Sequence, residues 1–182
     1  MSIGLKRGSV RLEAHDPAWD SSAREIIGAL REILGADAAD IQHVGSTAIP
    51  TIYAKPIVDI AVGMRNLHSI REHDEALAAQ GIRYRKEEFG GQLVYVMGTD
   101  TVRTHFIHVV PWNGEAWHNY IAFRDYLNAH PKDAQMYSRL KQSLAEVHPE
   151  DREAYLAGKS ETIARILADA RKWAGSNTDQ QE

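Results

Sequence analysis

The sequence contains no cysteine. This absence excludes disulfide bonds, thiolate-bound metals and a cysteine nucleophile from the fold and from its chemistry. The chain also lacks an apolar run long enough to cross a membrane, and its first seven residues lack the apolar core of a secretion signal. We therefore expect a cytoplasmic protein with no membrane partner.

Positive charge is not in excess, because 25 acidic side chains outnumber 21 lysine and arginine side chains and give a formal net charge of −4. Proteins that grip a nucleic-acid backbone commonly carry a basic surplus. We therefore expect no nucleic-acid partner, and we favour a small phosphorylated ligand.

The length of 182 residues and the hydrophobic fraction of 43% are typical of one globular domain. The last eight residues, 175–182, contain no large apolar side chain. A segment of that composition cannot bury enough apolar surface to order itself. We predict a single domain over residues 1–174 and a disordered tail over 175–182.

Apolar runs bounded by turn residues predict strands. These strands cover residues 10–12, 40–44, 57–62, 82–85, 93–97 and 102–110. The run at 57–62 is largely apolar on both faces, which indicates a central strand. Tight turns between the last three strands indicate an antiparallel meander.

Apolar residues at helical spacing predict the helices. Asp16 and Pro17 are typical of a helix start, and this first helix ends near Gly35. A second helix follows Asn66, and after Pro111 the pattern is helical to the end. The element order indicates an α+β fold, with a mixed sheet flanked by helices and a C-terminal helical layer.

One segment between two predicted strands carries most of the candidate chemistry. Gly45 lets a ligand approach the main chain closely, and Ser46 and Thr47 add hydroxyl and N–H groups. Lys55 adds a cation, and Asp59 lies within an apolar run, where a carboxylate needs a cation, hydrogen-bond donors or a metal. The residues alone fit a plain turn between core strands equally well.

The pattern H-x-G-S-T-A-x-P at residues 43–50, followed by A-K-P-I-x-D-I at 54–60, resembles the signature of the GrpB family, UPF0157. A histidine-bearing strand at 103–110 and a helical pattern after residue 123 extend the resemblance to about residue 173. The family is similar to the nucleotidyltransferase superfamily, in which a Gly-Ser turn holds a triphosphate and an Asp-x-Asp pair holds divalent metal. The resemblance implies a nucleotidyltransferase-like fold.

The resemblance implies site residues as well. Asp59 and Ser46 are the expected catalytic residues. Ligand or phosphate binding is expected at Gly45, Ser46, Thr47, Lys55, Arg103, Arg124, Lys141 and Lys159. Asp59 is the expected metal ligand, with His108 and then His43 as further candidates. The expected cofactor is Mg²⁺ or Mn²⁺, and Zn²⁺ becomes an option if imidazole takes part.

The chain departs from the superfamily pattern at one position. The second carboxylate, two residues after Asp59 and on the same strand face, is replaced by Ala61. Two-metal transfer therefore lacks a ligand. His105 and His108 point to opposite faces of an unbroken strand, so both cannot enter one pocket unless a bulge intervenes. Arg124 has a structural alternative, an ion pair with Asp125.

Three functions remain open at this point. The chain can transfer a nucleotidyl or phosphoryl group from a nucleoside triphosphate to a small acceptor. It can instead be a non-catalytic module that binds a nucleotide or another anionic metabolite, linked to coenzyme A metabolism because similar domains are fused to dephospho-coenzyme A kinase in some bacteria. A weaker option is a His/Asp metal site with hydrolytic chemistry. A homodimer is compatible with the sequence.

Overall fold

A computed structural model of the chain describes residues 3–89 and 91–178. The strands in this part are β1 (Leu5–Lys6), β2 (Ala38–Val44), β3 (Val58–Met64), β4 (Arg83–Phe89), β5 (Gln92–Gly98) and β6 (Val102–Pro111). The helices are α1 (Pro17–Leu34), α2 (Asp74–Ala79), α3 (Glu115–Ala129), α4 (Pro131–Val147) and α5 (Arg152–Thr178). The predicted α+β class is confirmed.

The strands form one mixed sheet in the order β2-β3-β6-β5-β4, and β1 pairs with the start of β6. β3 and β6 are parallel, whereas the other neighbours are antiparallel. The predicted meander of β4, β5 and β6 is therefore present. β3 lies between β2 and β6 and is almost entirely buried, as its apolar run indicates.

The two faces of the sheet pack against different helices. α1 covers one face, where Trp19 and Leu30 join Ile60 and Ile107 in the main core. The C-terminal helices cover the other face, where Trp117 of α3 packs on inward side chains of β2, β3 and β6. Because side chains alternate along a strand, Asp59 points away from α1 and toward the C-terminal helices. We call this second side the site face.

The first helix follows its sequence signals closely. The Asp16 side chain accepts a hydrogen bond of 2.9 Å from the N–H of Ala18, Pro17 opens the helix, and Gly35 ends it at φ 51°. Asn66 likewise accepts a hydrogen bond from the N–H of His68 at the start of the second helical segment. That segment begins as a 3₁₀ helix, Leu67–His73, before it continues as α2.

The strand predicted at residues 10–12 is wrong. The N–H of Val10 donates to the carbonyl of Pro149 at 2.7 Å, so this backbone is bound to the loop before α5 and not to a neighbouring strand. The real first strand lies earlier, at Leu5–Lys6.

α5 continues through residues 175–178, which belong to the segment predicted to be a disordered tail, and residues 179–182 lie outside the described part. Within residues 3–89 and 91–178, none of the helices combines the length and the apolar character that crossing a membrane requires.

His105 and His108 lie on opposite faces of β6, as strand alternation predicts. His105 is 5% exposed and lies on the α1 side, where its Nε2 atom is 2.9 Å from the hydroxyl of Ser22 and its Nδ1 atom is 3.0 Å from that of Thr104. Burial lowers the pKa of His105 to about 4. His105 is therefore a structural histidine held in its neutral form.

This depressed pKa predicts an acid sensitivity of the fold. The unfolded chain takes up a proton at His105 below about pH 6.5, whereas the folded chain does so only near pH 4. The contribution of His105 to the free energy of unfolding is therefore complete above pH 6.5 and is lost as the pH falls toward 4. Urea unfolding of wild type and His105→Gln across pH 4.5–7.5 should show a shallower pH dependence in the variant. The exposed His118→Gln serves as control, and parallel curves for wild type and His105→Gln would refute the assignment.

Candidate functional site

The turn after β2 is packed directly against Asp59. Gly45 adopts φ 70° and is followed by a single 3₁₀ turn over Ser46–Ala48. A Cβ atom at Gly45 would lie 2.7 Å from the Oδ2 atom of Asp59, so a side chain here would collide with the carboxylate. Glycine is thus required by both the backbone angle and the contact. The segment singled out by its sequence does bring a Gly-Ser turn and a carboxylate together.

A central cavity of about 360 Å³ opens between the site face of the sheet and helices α4 and α5. Most side chains that line this cavity are polar or charged. They are Ser46, Thr47, Lys55, Asp59, Arg85, Gln92, His108, Lys141, Arg152, Tyr155 and Lys159. Five of these residues are lysine or arginine, and the described walls contain the single carboxylate Asp59. In a chain of net charge −4, this local reversal of sign favours an anionic ligand.

Lys141 is the most deeply buried cation of the central cavity, with a relative exposure of 1%. Its ammonium group donates to the hydroxyl of Ser46 at 2.9 Å and to the carbonyl oxygen of Tyr53. Burial lowers the pKa of Lys141 well below its ordinary value, and repulsion from Lys159 and Lys55 lowers it further. Lys141 therefore holds the Gly-Ser turn in place from the side of α4.

Lys55 and Lys159 lie around one aromatic ring. Their ammonium nitrogens are 5.4 Å and 5.0 Å from the ring centroid of Tyr155, within the range of a cation–π contact. Burial, followed by repulsion from Lys55, lowers the pKa of Lys159 to about 8. Burial, followed by repulsion from Arg152, also lowers the pKa of Lys55. These cations are costly to keep charged until an anion joins them.

Asp59 is paired with His108, whose Nε2 atom is 3.0 Å from Oδ1 of the carboxylate. Because an ionised carboxylate only accepts hydrogen bonds, Nε2 carries the proton, and Nδ1 is the acceptor in the neutral ring. That Nδ1 atom is buried and has no hydrogen-bond partner within the described residues. The ring of Tyr120 lies beside it, with 5.0 Å between the two centroids.

His43, the second histidine candidate, lies elsewhere. Its Nε2 atom is 2.9 Å from the hydroxyl of Thr47, and its Nδ1 atom is 3.5 Å from a carboxylate oxygen of Asp20 on α1. Burial lowers the pKa of His43. The imidazole therefore braces the turn from the α1 side and is not part of the cavity lining.

The position of the absent second carboxylate is closed to metal chemistry by its surroundings. Ala61 is fully buried and packs with Val44, Val110 and Trp117. Over residues 3–89 and 91–178, no three histidine or acidic side chains converge closely enough to share a metal ion. The residues present do not fit the two-metal centre that the resemblance implies. A metal held by Asp59 with His108 alone stays a prediction.

Both predicted anion-binding arginines, Arg103 and Arg124, lie away from the central cavity. Arg124 on α3 donates to the side chain of Gln42 at 2.8 Å and to the carbonyl oxygen of His43 at 3.0 Å, and it pairs with Asp125 at 2.7 Å. Its guanidinium fastens α3 to β2, which supports the structural alternative for the pair with Asp125. Arg103 lines an adjoining chamber instead.

Two arginines of the cavity lining were missing from the predicted site. Arg152 precedes Lys159 by seven residues, and two turns of helix α5 place both on one side, a signal that spacing alone could have given. Arg85 carries no such signal. It enters the site because β4 pairs Arg85 with Val94, which β5 pairs with His108, and that register is not visible in the sequence.

The central cavity adjoins two further chambers. The aromatic chamber, of about 430 Å³, shares Ser46, Asp59 and His108 with it and is closed by apolar and aromatic side chains, chiefly Ala116, Tyr120, Phe123, Tyr137, Ile163 and Leu167. The basic chamber, of about 460 Å³, lies toward β1 and shares Lys55 and Arg85 with it. The three spaces form one continuous trough across the sheet.

Comparison with known proteins supports the family resemblance. A sequence profile of the family described as GrpB protein matches residues 9–169. A glutamate-rich protein GrpB from Alkalihalophilus pseudofirmus is 36% identical over 170 residues, which make up 91% of this chain and 98% of that protein. The crystal structure of conserved protein GrpB from Enterococcus faecalis has a TM-score of 0.84 at 29% identity and covers 90% of this chain and 99% of that one.

More distant similarities extend beyond this group. A crystal structure of the Cid1 poly(U) polymerase with Mg 3′-dATP bound has a TM-score of 0.51 at 18% identity, over 74% of this chain and 43% of that chain. That likeness concerns the fold alone and confirms its nucleotidyltransferase-like character. A dephospho-CoA kinase from Mycolicibacterium paratuberculosis is 28% identical over 94% of this chain, which spans 48% of the kinase.

Proposed function

The chain belongs to the GrpB family, and from this premise we propose that it binds a phosphorylated small molecule of the nucleotide class in the central cavity, through lysine and arginine side chains. One observation carries the proposal: the described walls of one cavity contain five lysine and arginine side chains and a single carboxylate, in a protein of net negative charge. Phosphate oxygens accept hydrogen bonds from lysine and arginine, and such charge-assisted bonds are among the strongest in proteins. A phosphorylated ligand would supply the negative charge that these walls lack.

The lysine pKa values support an anionic occupant. In addition to burial, Lys55 lowers the pKa of Lys141 and of Lys159, and Lys159 lowers that of Lys141 further. In the free protein it is therefore electrostatically unfavourable to keep all three protonated. A bound phosphate favours the charged form of each lysine and raises its pKa again. Because the pKa of Lys159 is about 8 in the free protein, affinity should fall as the pH rises above 8.

The aromatic chamber supports a nucleotide over a bare phosphate. Tyr120, Phe123 and Tyr137 form walls beside the Gly-Ser turn, and the chamber is continuous with the central cavity through Ser46 and Asp59. Aromatic side chains favour planar groups by stacking, which is worth about 1–3 kcal/mol for a nucleic-acid base. The part-length similarity to a dephospho-CoA kinase makes phosphorylated adenosine compounds the first ligands to test.

Group transfer to a small acceptor is the second candidate function, and the Asp59–His108 contact of 3.0 Å is the observation that favours it. In this reaction the carboxylate of Asp59, held by the Nε2–H of His108 at 3.0 Å, takes the proton of an acceptor hydroxyl. The acceptor oxygen forms a bond to the α-phosphorus of ATP, and the P–O bond to the leaving pyrophosphate breaks with its electron pair. Lys55 and Lys159 would stabilise the charge on the leaving group.

The test is calorimetric titration with ATP, with Mg²⁺ and with chelator, on wild type and Asp59→Asn. We expect ATP to bind in chelator, and we expect Asp59→Asn to bind it at least as tightly, because the substitution removes the negative charge nearest to the phosphates. Asp169→Asn on α5 makes the same charge change outside the central cavity and should leave affinity unchanged.

Two results would overturn this proposal. Binding that requires Mg²⁺ and disappears in Asp59→Asn would show that the nucleotide binds through a metal at Asp59 instead of through the lysine and arginine side chains. If ATP, UTP, pyrophosphate and coenzyme A all fail to bind, the proposal that the ligand is phosphorylated is wrong. Release of pyrophosphate from ATP with a panel of small hydroxyl acceptors, abolished in Asp59→Asn although ATP still binds, would establish the transferase. Binding of ATP without turnover would support the non-catalytic binding module.

A further inference from the structure

The basic chamber adds three cationic side chains, Lys6, Arg7 and Arg103, to those that the proposed function uses. Its walls have cationic side chains from the N-terminal segment, β4, β6 and α5, namely Lys6, Arg7, Lys55, Arg85, Arg103 and Arg152. Asp100 is the acidic residue of the described walls. The described walls of the basic chamber and the central cavity together contain eight of the chain's 21 lysine and arginine residues.

This chamber depends on specific pairing of the short strand β1. Leu5 pairs with Arg103 at the start of β6, and the N–H of Arg7 donates to the carbonyl of Thr101 at 2.8 Å. Gly4, at φ 129°, donates its N–H to the carbonyl of Pro56 at 2.8 Å, just before β3. The chain therefore fixes Lys6 and Arg7 beside Arg103 by main-chain bonds, so their proximity is built into the fold.

The pKa of Arg103 indicates that it is electrostatically unfavourable to place these cations together. Burial lowers the pKa of Arg103, and repulsion from Arg7 and Arg85 lowers it further. The guanidinium donates to the carbonyl of Met97 at 3.2 Å, which holds it at the chamber wall. Like charges held together in a partly buried space favour an anion that satisfies several of them at once.

The basic chamber is continuous with the central cavity. Lys55, Ile57, Arg85, Phe106 and Arg152 line both spaces, so the two share one wall and a single ligand can extend from one into the other. We propose that the basic chamber is a second anion subsite, which binds a second phosphate group of the ligand whose first phosphate group lies in the central cavity. The ligand class is therefore a small molecule with two separate phosphorylated positions. This inference rests on the proposed function of the central cavity.

Pyrophosphate titration tests the two subsites separately. Wild type should bind two pyrophosphate ions, and Lys6→Gln/Arg103→Gln should bind one. Lys159→Met in the central cavity should also bind one. Arg83→Gln, an exposed change on β4, should still bind two. Thermal unfolding of each variant without ligand confirms that the double variant is folded.

The outcomes separate the two proposals. One pyrophosphate in wild type, unaffected by Lys6→Gln/Arg103→Gln and lost in Lys159→Met, overturns the second subsite and leaves the central cavity in place. One pyrophosphate that is lost in Lys6→Gln/Arg103→Gln and kept in Lys159→Met overturns the proposed function of the central cavity. An absence of binding overturns both.

A matched pair of compounds tests whether one ligand reaches both subsites. Coenzyme A and dephospho-coenzyme A differ by one phosphate group, which is separate from the diphosphate. Wild type should bind coenzyme A about tenfold more tightly than dephospho-coenzyme A, or better, since one charge-assisted contact contributes at least about a factor of ten to affinity. In Lys6→Gln/Arg103→Gln this ratio should fall to near one. Equal affinities for the two compounds in wild type, or an affinity ratio that the variant leaves unchanged, would show that the chamber does not bind a second phosphate of the same ligand.

Discussion

Replacement of both Lys55 and Lys159 by methionine should reduce the affinity for ATP by about a hundredfold or more, since two charge-assisted contacts of roughly 1.5–3 kcal/mol each are lost. The same change should raise the free energy of unfolding of the ligand-free protein, by an amount on the order of 1 kcal/mol. Affinity should fall while stability rises because both lysines are half-buried next to other cations. Their partial burial and this repulsion lower their pKa values.

The expected rise in the free energy of unfolding depends on the shape of methionine. Its unbranched chain keeps much of the packing that the lysine stems make beside Tyr155, while the charge is removed. Without a ligand, the remaining Lys141 and Arg152 no longer face two further cations. Sites that bind charged ligands commonly sacrifice stability in this way.

Urea unfolding and calorimetric titration with ATP measure the two effects on the same samples. Lys132→Met/Lys172→Met removes two exposed lysines from α4 and α5 and is the charge-matched control, which should alter neither quantity strongly. A double cavity variant that loses stability and keeps its affinity would contradict the assignment of these lysines to ligand binding.

Ala61→Asp should lower the free energy of unfolding by about 3–5 kcal/mol, the usual cost of an unpaired buried charge. The new carboxylate would restore the Asp-x-Asp spacing of the nucleotidyltransferases, yet it would be enclosed by Val44, Val110 and Trp117. Those side chains offer no donor to an ionised oxygen except the indole N–H. The pattern that defines two-metal chemistry is therefore incompatible with the packing that this chain has adopted.

Urea unfolding at pH 8 and pH 5, beside Ala61→Asn, measures this cost. Asparagine adds nearly the same volume without charge, so the difference between the two variants isolates the carboxylate. That difference should shrink at pH 5, because a buried carboxyl with a raised pKa is then partly protonated. Recovery of full stability on addition of Mg²⁺ or Mn²⁺ would instead show that this position still accepts a metal beside Asp59.

Local patterns predicted the parts of the fold that depend on neighbouring residues. The capping residue Asp16 and the helix stop at Gly35 were correct because each depends on contacts within a few residues. The central strand at 57–62 was correct because burial on both faces leaves a continuous apolar run in the sequence. Alternation along β6 also placed His105 and His108 on opposite faces. The strand at 10–12 was wrong, since the partner of Val10 is Pro149, in the other half of the chain.

The convergence of side chains on the site was harder to predict. The proximity of Gly45 to Asp59 follows from one turn and one strand, so the motif alone indicated it. The contribution of Arg85 depends on the register of several strands, which apolar patterns do not fix. Arg124 was misplaced because a helical arginine gives no sign of whether it faces a cavity or, as here, the neighbouring strand and Asp125.

The parallel pairing of β3 with β6 has a consequence for the order in which the molecule assembles. Strands from opposite halves of the chain must meet before the floor of the trough exists, and closure of so long a loop is entropically costly and slow. Lys159 then joins from α5, near the end of the chain. During synthesis, we expect the nascent chain to acquire its ligand only after α5 has left the ribosome. A ligand that recognises only the finished trough should slow unfolding while leaving the folding rate unchanged.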